Sequence, residues 1–181
     1  MSDQRGAVSP QPVALEIREA TPADVPLLMR MIGELAEYER LADHVRASEE
    51  LLDRALFGEV PSAEALIAER AGEPIGYALY FSTFSTFLAI QGIWLEDLYV
   101  RPEHRKAGAG RALLAAVAAK LRERGGERLE WAALDWNELA LGFYRSLGAQ
   151  AMSEWITHRL IGADLARLAA EAPALGGPAR R

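Results

Sequence analysis

The sequence predicts an α/β domain built around a mixed β-sheet. Segments with the apolar spacing of strands and helices follow one another in the order β-α-α-β-β-β-α-β-α-β. Strand-like runs at Ala63–Glu69 and Pro74–Thr83 are joined by Ala71–Glu73, which is typical of an antiparallel hairpin. A glycine-rich turn at Arg105–Arg111 lies between a strand and a helix, as in a β-α-β unit. We therefore expect an antiparallel first half and a β-α-β second half.

The first half of the chain also supplies a strand and two helices. Alternating apolar and polar residues predict a strand at Val13–Ala20. Thr21 suits a helix N-cap and is followed by a proline and a carboxylate in the first turn, so a helix is predicted to run to about Tyr38. Ser48 caps a second, shorter helix that ends at Gly58.

The second half carries the β-α-β unit and the end of the domain. Strands are predicted at Gly92–Val100 and Arg128–Leu134, on either side of a helix that begins at Gly108 and stops at Gly125. The remaining expected elements are a helix from Asn137 to Gly148, one or two closing strands at Met152–Leu160 and a short helix at Asp164–Ala170.

Length and composition exclude several classes of protein. The chain has 181 residues, which favours one domain, expected over 13–170 between flexible tails at 1–12 and 171–181. A net charge of -6 argues against binding to nucleic acid. The absence of cysteine excludes thiol chemistry, and the three histidines form no metal-binding motif, so no metal is expected. The first dozen residues lack the apolar stretch of a secretory signal, and no apolar run is long enough to span a membrane, which predicts a cytoplasmic protein that does not bind membranes.

The turn at Arg105–Arg111 has the composition of a phosphate-binding loop. Gly108 and Gly110 allow the backbone to approach a ligand closely, and the following helix start offers unpaired N–H groups. Arg105, Lys106 and Arg111 add positive charge. The spacing matches neither a nucleoside-triphosphate P-loop nor a full dinucleotide fingerprint. Taken alone, the turn fits a pyrophosphate site or a solvated glycine-rich turn.

The same turn resembles the signature [QR]-x-x-G-x-[GA] of the GNAT superfamily of acyl-CoA-dependent N-acetyltransferases, with matches at Arg105, Gly108 and Gly110. The segment from Asn137 to Gly148 reads N-x-x-A-x-x-F-Y-x-x-x-G and is similar to the family's helix beside the coenzyme. The order of elements along almost the whole domain is also similar.

Three segments, Glu34–Glu39, Trp94–Val100 and Asp135–Glu138, resemble the diamine (spermidine/spermine) N-acetyltransferase group, which also includes thialysine N-acetyltransferases. The resemblance implies a GNAT-type mixed sheet, acetyl-CoA as co-substrate, a small amine as acceptor and a homodimer. At Lys106 and Ala107 the chain departs from its relatives, which often have glycine and an aromatic residue there.

The resemblance also assigns roles to individual residues. It implies amine contacts at Tyr38, Glu39 and Glu96, and catalytic roles for Tyr144 and Glu96. The implied coenzyme contacts are Leu98, Tyr99, Val100, Arg105, Lys106, Ala107, Gly108, Ala109, Gly110, Arg111 and Asn137.

Each catalytic candidate also has a purely structural interpretation. Glu96 and Asp97 are neighbours on a strand, so in regular geometry only one of them lines a given pocket. By the family match Glu96 faces the amine, where it binds an ammonium or accepts a proton; otherwise it is a hydrogen-bonded edge residue. Tyr144 is either a general acid for the leaving thiolate or a core tyrosine with a bonded hydroxyl.

Three functions are therefore compared. The first is acetylation of a small cationic amine by acetyl-CoA. The second is acetylation of a protein lysine or another small amine on the same fold. The third is a non-catalytic acyl-CoA-binding sensor. The joint presence of Tyr144 and Glu96 favours an enzyme over a sensor.

Overall fold

The computed structural model describes residues 14–173. They form two compact units, one ending at Ala132 and the other beginning at Ala133. Of the two predicted tails, 1–12 and all but the first three residues of 171–181 lie outside the described residues. A single domain over 13–170 therefore stays a prediction.

The first unit contains a five-stranded sheet in the spatial order β1-β2-β3-β4-β5. Neighbouring strands are antiparallel from β1 to β4, whereas β4 and β5 are parallel. The predicted mixed sheet, with an antiparallel first half and a β-α-β unit in the second, is therefore confirmed. The strands are β1 (Leu15–Glu19), β2 (Glu64–Arg70), β3 (Glu73–Ser85), β4 (Ile90–Val100) and β5 (Arg128–Trp131).

Two helices begin where the local capping signals predicted. The N–H of Leu51 donates to the Ser48 hydroxyl, and the N–H of Ala140 donates to the Asn137 side chain. The helices are α1 (Val25–Tyr38), α2 (Glu49–Phe57) and α3 (Ala109–Glu123) in the first unit, and α4 (Glu138–Ser146) and α5 (Gly162–Ala170) in the second. Among residues 14–173, no helix combines the length and apolar character that crossing a membrane requires.

The sheet of the first unit is covered on both faces. Tyr77 and Ile67 pack with Leu28 and Met31 of α1 and with α2, in one buried cluster. Because side chains alternate along a strand, Tyr80 lies on the opposite face, where its hydroxyl and Arg124, directly after α3, both bond Glu64. The buried residues of α3 on its inner side are Ala109, Leu113, Leu114, Val117 and Leu121.

One extra residue interrupts the pairing of the two longest strands. Leu79 of β3 pairs with Asp97 of β4, but the next residue of β3, Tyr80, pairs with Leu95. Glu96 is therefore the additional residue of a β-bulge in β4. A bulge places two residues of one strand opposite one residue of its partner and locally breaks the alternation of side chains.

The predicted closing strands at Met152–Leu160 are wrong. This segment contains no strand, and its residues are all exposed. A strand needs a neighbour for its backbone N–H and C=O groups, and the described part of the second unit has two helices but no strand that could pair with it. The strand predicted at Arg128–Leu134 ends earlier, at Trp131.

Candidate active site

The second half of β4 presents a free backbone edge. β5 pairs with β4 only from Gly92 to Leu95, so Glu96–Val100 have no strand neighbour on that side among the described residues. The N–H of Arg101 donates to the Ile75 carbonyl on β3. Because amides alternate sides along an antiparallel strand, the N–H groups of Leu98 and Val100 point away from β3, toward the free edge. These amides are available to a ligand that lies along the edge.

The turn after β4 supplies a second group of unpaired amides. Gly108 is the N-cap of α3 and has φ 90° and ψ -10°, in the left-handed region that favours glycine. Lys106 also has a positive φ, 62°. The first backbone bond of α3 joins the N–H of Ala112 to Gly108, which leaves the amides of the first turn open. Lys106 and Arg111 are exposed beside them and make no ion pair within 14–173. This combination suits an anion.

Arg105 contacts protein groups on both sides of this turn. Its Nε donates to the Val100 carbonyl at 2.8 Å, and its guanidinium lies over the ring of Tyr38, 4.5 Å from the centroid. The ring of Tyr99 is 5.9 Å away. Arg105 therefore ties the turn to β4 and to the end of α1. Arg105 is predicted to contact the coenzyme. These contacts indicate that it also positions the turn, which the sequence did not reveal.

A further arginine supports the turn from outside the predicted site. Arg70 lies at the end of β2, and its Nη2 donates to the Ala107 carbonyl at 3.0 Å. Sequence reasoning missed this residue because the contact joins positions 37 residues apart. No local pattern marks it.

The bulge brings Glu96 and Asp97 to the same face of the sheet. Leu79 packs against the buried cluster of α1, and Phe81 shares its face by alternation. Trp94 pairs with Phe81, and its indole Nε1 donates to Glu96 at 2.9 Å. Asp97 pairs with Leu79. The expectation that the two carboxylates face opposite sides assumed a regular strand and does not hold here.

Asp97 is the inner carboxylate of this pair. The hydroxyl of Tyr77, which is fully buried, donates to its Oδ2 at 3.0 Å. Burial raises the pKa of Asp97 to about 6, and the negative charges of Glu96 and Glu39 act in the same direction, while the Tyr77 hydroxyl opposes them. Glu96, by contrast, is exposed. The sequence favoured Glu96 over Asp97 for a functional role, because only the bulge turns Asp97 toward α1.

The end of α1 contributes the predicted amine contacts. Glu39 is half-buried directly after the helix, and burial raises the pKa of its carboxyl. Glu39 also acts electrostatically on Asp97 and Tyr77, which brings it into the same acidic group. Tyr38 precedes it and carries the Arg105 guanidinium on its ring. The structure therefore brings Tyr38, Glu39 and Glu96 to one face of the sheet.

Glu34 is engaged differently from its acidic neighbours. Both of its carboxylate oxygens accept bonds from Arg101, at 2.9 and 3.0 Å, and this partner lowers the pKa of Glu34. The hydroxyl of Tyr99 also donates to Glu34, and burial together with this carboxylate raises the pKa of Tyr99 to about 12. An open pocket of about 480 Å³ adjoins this network. Its lining residues are Glu34, Glu37, Tyr38, Tyr99, Arg101, Pro102 and Glu103.

The two remaining predicted residues lie in the second unit. The Asn137 side chain accepts the N–H of Ala140 at 3.2 Å and so caps α4. Tyr144 lies on α4, is half-buried and packs its ring against Phe143, with centroids 5.3 Å apart. Among residues 14–173, the structure has no group of three or more acidic or histidine side chains that could hold a metal ion.

Comparison with known proteins identifies relatives of the chain. The model of the acetyltransferase (GNAT) family matches residues 29–149. The chain is 42% identical over 164 residues to the thialysine N-epsilon-acetyltransferase of Bos taurus, covering 84% of this chain and 96% of that protein. It is 30% identical over 191 residues to an L-ornithine N5-acetyltransferase of Arabidopsis thaliana, covering 81% and 84%. An integron cassette protein from the V. cholerae mobile metagenome superposes with a TM-score of 0.71 at 28% identity, covering 86% and 97%.

Proposed function

The chain belongs to the GNAT acetyltransferase family and is an N-acetyltransferase, and we propose that it transfers acetyl from acetyl-CoA to a primary amine of a small cationic substrate. The observation that carries this proposal is the free edge of β4 continuing into the glycine turn. An extended thioester with a pyrophosphate fits the free amides of Leu98 and Val100 followed by the open start of α3. Lys106 and Arg111 supply charge for the pyrophosphate.

The acidic group beside this edge supports a cationic acceptor. Glu39, Glu96 and Asp97 place three carboxylates on the face where β4 meets the end of α1. The Bos taurus and Arabidopsis thaliana relatives are named for thialysine and L-ornithine, which both carry a terminal primary amine and a second amino group. We therefore propose a lysine-like amino acid, a diamine or a polyamine as substrate. Electrostatic complementarity of this kind selects the partner and steers its approach.

The proposed reaction gives each group a distinct step. The amide of Leu98 holds the thioester carbonyl, and a backbone donor in such a position typically contributes about 3–4 kcal/mol to the rate of acyl transfer. A carboxylate of the acidic group holds the ammonium and accepts its proton, after which the amine attacks the carbonyl. Tyr144 donates a proton to the departing thiolate. A phenol with an ordinary pKa of about 10 is protonated at neutral pH, which suits this task.

The test is release of free CoA across a panel of amines. Spermidine, thialysine, L-ornithine, a simple monoamine and a lysine peptide are compared at fixed acetyl-CoA concentration, with wild type and Glu96→Gln. If Glu96 contacts the distal charge, the substitution raises KM for the cationic substrates by about fivefold more than for the monoamine, as expected for an exposed ion pair of ~1 kcal/mol. Glu16→Gln on β1 is the matched control, because it makes the same charge change at an exposed position on the far edge of the sheet.

The outcomes separate the three functions. A preference of wild type for thialysine, L-ornithine or spermidine supports the proposal. A preference for the peptide or the monoamine contradicts the substrate class and leaves the acetyltransferase in place. Binding of acetyl-CoA without CoA release on any amine contradicts the proposed reaction and favours a sensor.

We also propose that the protein is a cytoplasmic homodimer. Exposed apolar side chains of the second unit, Trp155, Ile156 and Ile161, support self-association, because such surfaces often mark interfaces. Analytical ultracentrifugation at micromolar concentration distinguishes dimer from monomer. A monomer over the whole concentration range would contradict this part of the proposal.

A further inference from the structure

Arg70 contacts the glycine turn from the end of the neighbouring hairpin. It is the last residue of β2, and its Nη2 donates to the Ala107 carbonyl at 3.0 Å. We propose that Arg70 is a positioning residue for the acyl donor, which fixes the Ala107–Gly108 peptide so that the Gly108 N–H faces the pyrophosphate. Arg70 thereby makes the protein prefer acetyl-CoA to a thioester without a pyrophosphate. This role depends on the proposed acetyl transfer and extends it to the choice of donor.

The bond from Arg70 sets the direction of one amide of the turn. In a trans peptide the carbonyl and the following N–H point in opposite directions. Because the Ala107 carbonyl points toward Arg70, the Gly108 N–H points away from it. This N–H donates to no group among residues 14–173, and it directly precedes the open first turn of α3. Its direction therefore decides whether the turn and the helix start offer their donors to one anion.

The turn needs an outside contact to keep this conformation. Lys106 has φ 62°, and the left-handed region is unfavourable for a residue with a side chain. Strained conformations of this kind persist only where the surrounding structure holds them. The bond of Arg105 to the Val100 carbonyl holds the residue before Lys106, and Arg70 holds the residue after it. Without Arg70, the Ala107–Gly108 peptide can rotate and release the strain at Lys106.

The backbone of Arg70 provides a rigid base for this contact. It pairs with Leu15 of β1 on one side and with Glu73 of β3 on the other. Ala71 and Gly72 close the hairpin with φ 55° and 74°, as in the tight two-residue turns that match the twist of antiparallel strands. A side chain on this base holds the glycine turn from a part of the sheet that is itself fixed.

The guanidinium of Arg70 contributes little to the stability of the fold. Its Nε is buried and has no hydrogen-bond partner within 14–173, and its bond to Ala107 reaches an exposed turn. A buried donor without a partner costs free energy instead of supplying it. We therefore expect Arg70 to matter for binding of the donor and not for folding.

Calorimetric titration with acetyl-CoA tests the contact directly. Arg70→Met keeps a long side chain without a donor, and we expect Kd to rise about tenfold, as for the loss of one bond from a charged group. Arg70→Lys keeps the charge and a donor, so its Kd should lie between those of Arg70→Met and wild type.

Arg122 offers a matched control. It also donates to a single backbone carbonyl, that of Gly126 at 3.3 Å, but beyond the opposite end of α3. Arg122→Met makes the same change of charge and shape and should bind acetyl-CoA as wild type does. Both methionine variants should keep Tm within about 2 °C of wild type, because neither arginine supports the core.

A comparison of two donors separates positioning from a general effect on the fold. S-acetylpantetheine carries the same thioester as acetyl-CoA but no pyrophosphate. For Arg70→Met we expect kcat/KM to fall about tenfold with acetyl-CoA, through KM and not kcat, because the pyrophosphate takes no part in the bond changes. With S-acetylpantetheine, kcat/KM should equal that of wild type.

Three results would overturn the proposal. Equal affinity of Arg70→Met and wild type for acetyl-CoA means that the turn does not need the contact. Equal losses of kcat/KM with both donors assign the effect to the fold. A Kd ratio that returns to one when salt is raised from about 0.1 M to about 1 M makes Arg70 a distant charge that does not orient the peptide. If wild type releases no CoA with any amine, the proposed acetyl transfer fails, whereas the titration still decides whether Arg70 holds the turn for acetyl-CoA.

Discussion

Gly108 provides the sharpest test of the proposed coenzyme turn, because the chain contains a matched control. Gly108 lies before the first residue of α3, with φ 90°, and Gly125 lies just beyond its last turn, with φ 72°. A Cβ at either position would meet no atom within 4 Å. Alanine therefore introduces the same backbone strain at both ends of one helix and no clash at either. The two ends are roughly 22 Å apart, at ~1.5 Å per residue.

We expect Gly108→Ala and Gly125→Ala to lower stability equally but to differ in their effect on acetyl-CoA binding. A non-glycine residue in the left-handed region costs about 1–2 kcal/mol, which lowers Tm by roughly 2–4 °C per kcal/mol in a protein of this size. In Gly108→Ala the added methyl also enters open space at the start of α3, where the proposed pyrophosphate would bind. Loss of one charge-assisted bond to the pyrophosphate costs about 1.5–3 kcal/mol, so Kd for acetyl-CoA should rise about 10- to 100-fold. In Gly125→Ala it should not change.

Thermal unfolding and calorimetric titration with acetyl-CoA measure both quantities on the same samples. Equal losses of Tm with a weaker Kd only in Gly108→Ala would support the phosphate-binding turn. If both variants bind acetyl-CoA as wild type does, the turn does not hold the pyrophosphate and the reasoning is refuted. Equal weakening in both would assign the effect to α3 as a whole.

Substitutions at three further positions test other contacts. Tyr144→Phe should lower kcat by about 10²- to 10⁴-fold with little change in coenzyme affinity, and an unchanged single-turnover rate would make this tyrosine structural. Tyr38→Leu removes the ring beneath the Arg105 guanidinium and should weaken acetyl-CoA binding about fivefold, which corresponds to ~1 kcal/mol. Tyr38→Phe keeps the ring and should bind acetyl-CoA as wild type does. Equal affinities of the two variants for acetyl-CoA would show that the stacking does not contribute to binding. Asp24→Asn should lower the free energy of unfolding by about 2 kcal/mol at pH 7, because Arg18 bonds both carboxylate oxygens and holds the pKa of Asp24 well below its usual range. The pKa of Asp24 is lower in the folded state than in the unfolded state, so this stabilisation is present above about pH 4 and is lost as the pH falls further. The stability of Asp24→Asn, measured by urea unfolding, should therefore depend less on pH in acid than that of wild type. An unchanged pH dependence would contradict this.

Features that depend on neighbouring residues could be predicted from the sequence. The caps at Ser48 and Asn137 act within three residues of the bonds they make, and the glycine turn at Gly108 reflects a backbone conformation that few other residues adopt. The mixed sheet followed from the order of its elements. The closing strands at Met152–Leu160 were wrong because apolar content alone does not provide a pairing partner.

Contacts between distant segments could not be predicted from the sequence. Arg105 carries the family signature, but its stacking on Tyr38 depends on where α1 ends relative to the turn. Arg70 reaches Ala107 only because the β2–β3 hairpin ends beside it. The bulge at Glu96 is set by pairing between β3 and β4, so alternation within β4 alone gave the wrong faces.

The bulge also explains how β4 can contact both the amine and the thioester in the proposed reaction. Before it, β4 is a central strand, paired on both sides as far as Leu95. After it, β4 pairs only with β3, and the amides of Leu98 and Val100 face a free edge. At the bulge, Asp97 turns toward the same face as Glu96. A regular strand would present these two carboxylates to opposite faces, where a single amine could not reach both. The extra residue thus brings the acidic group next to the backbone edge, so that an ammonium and a thioester carbonyl bound at the two features lie side by side.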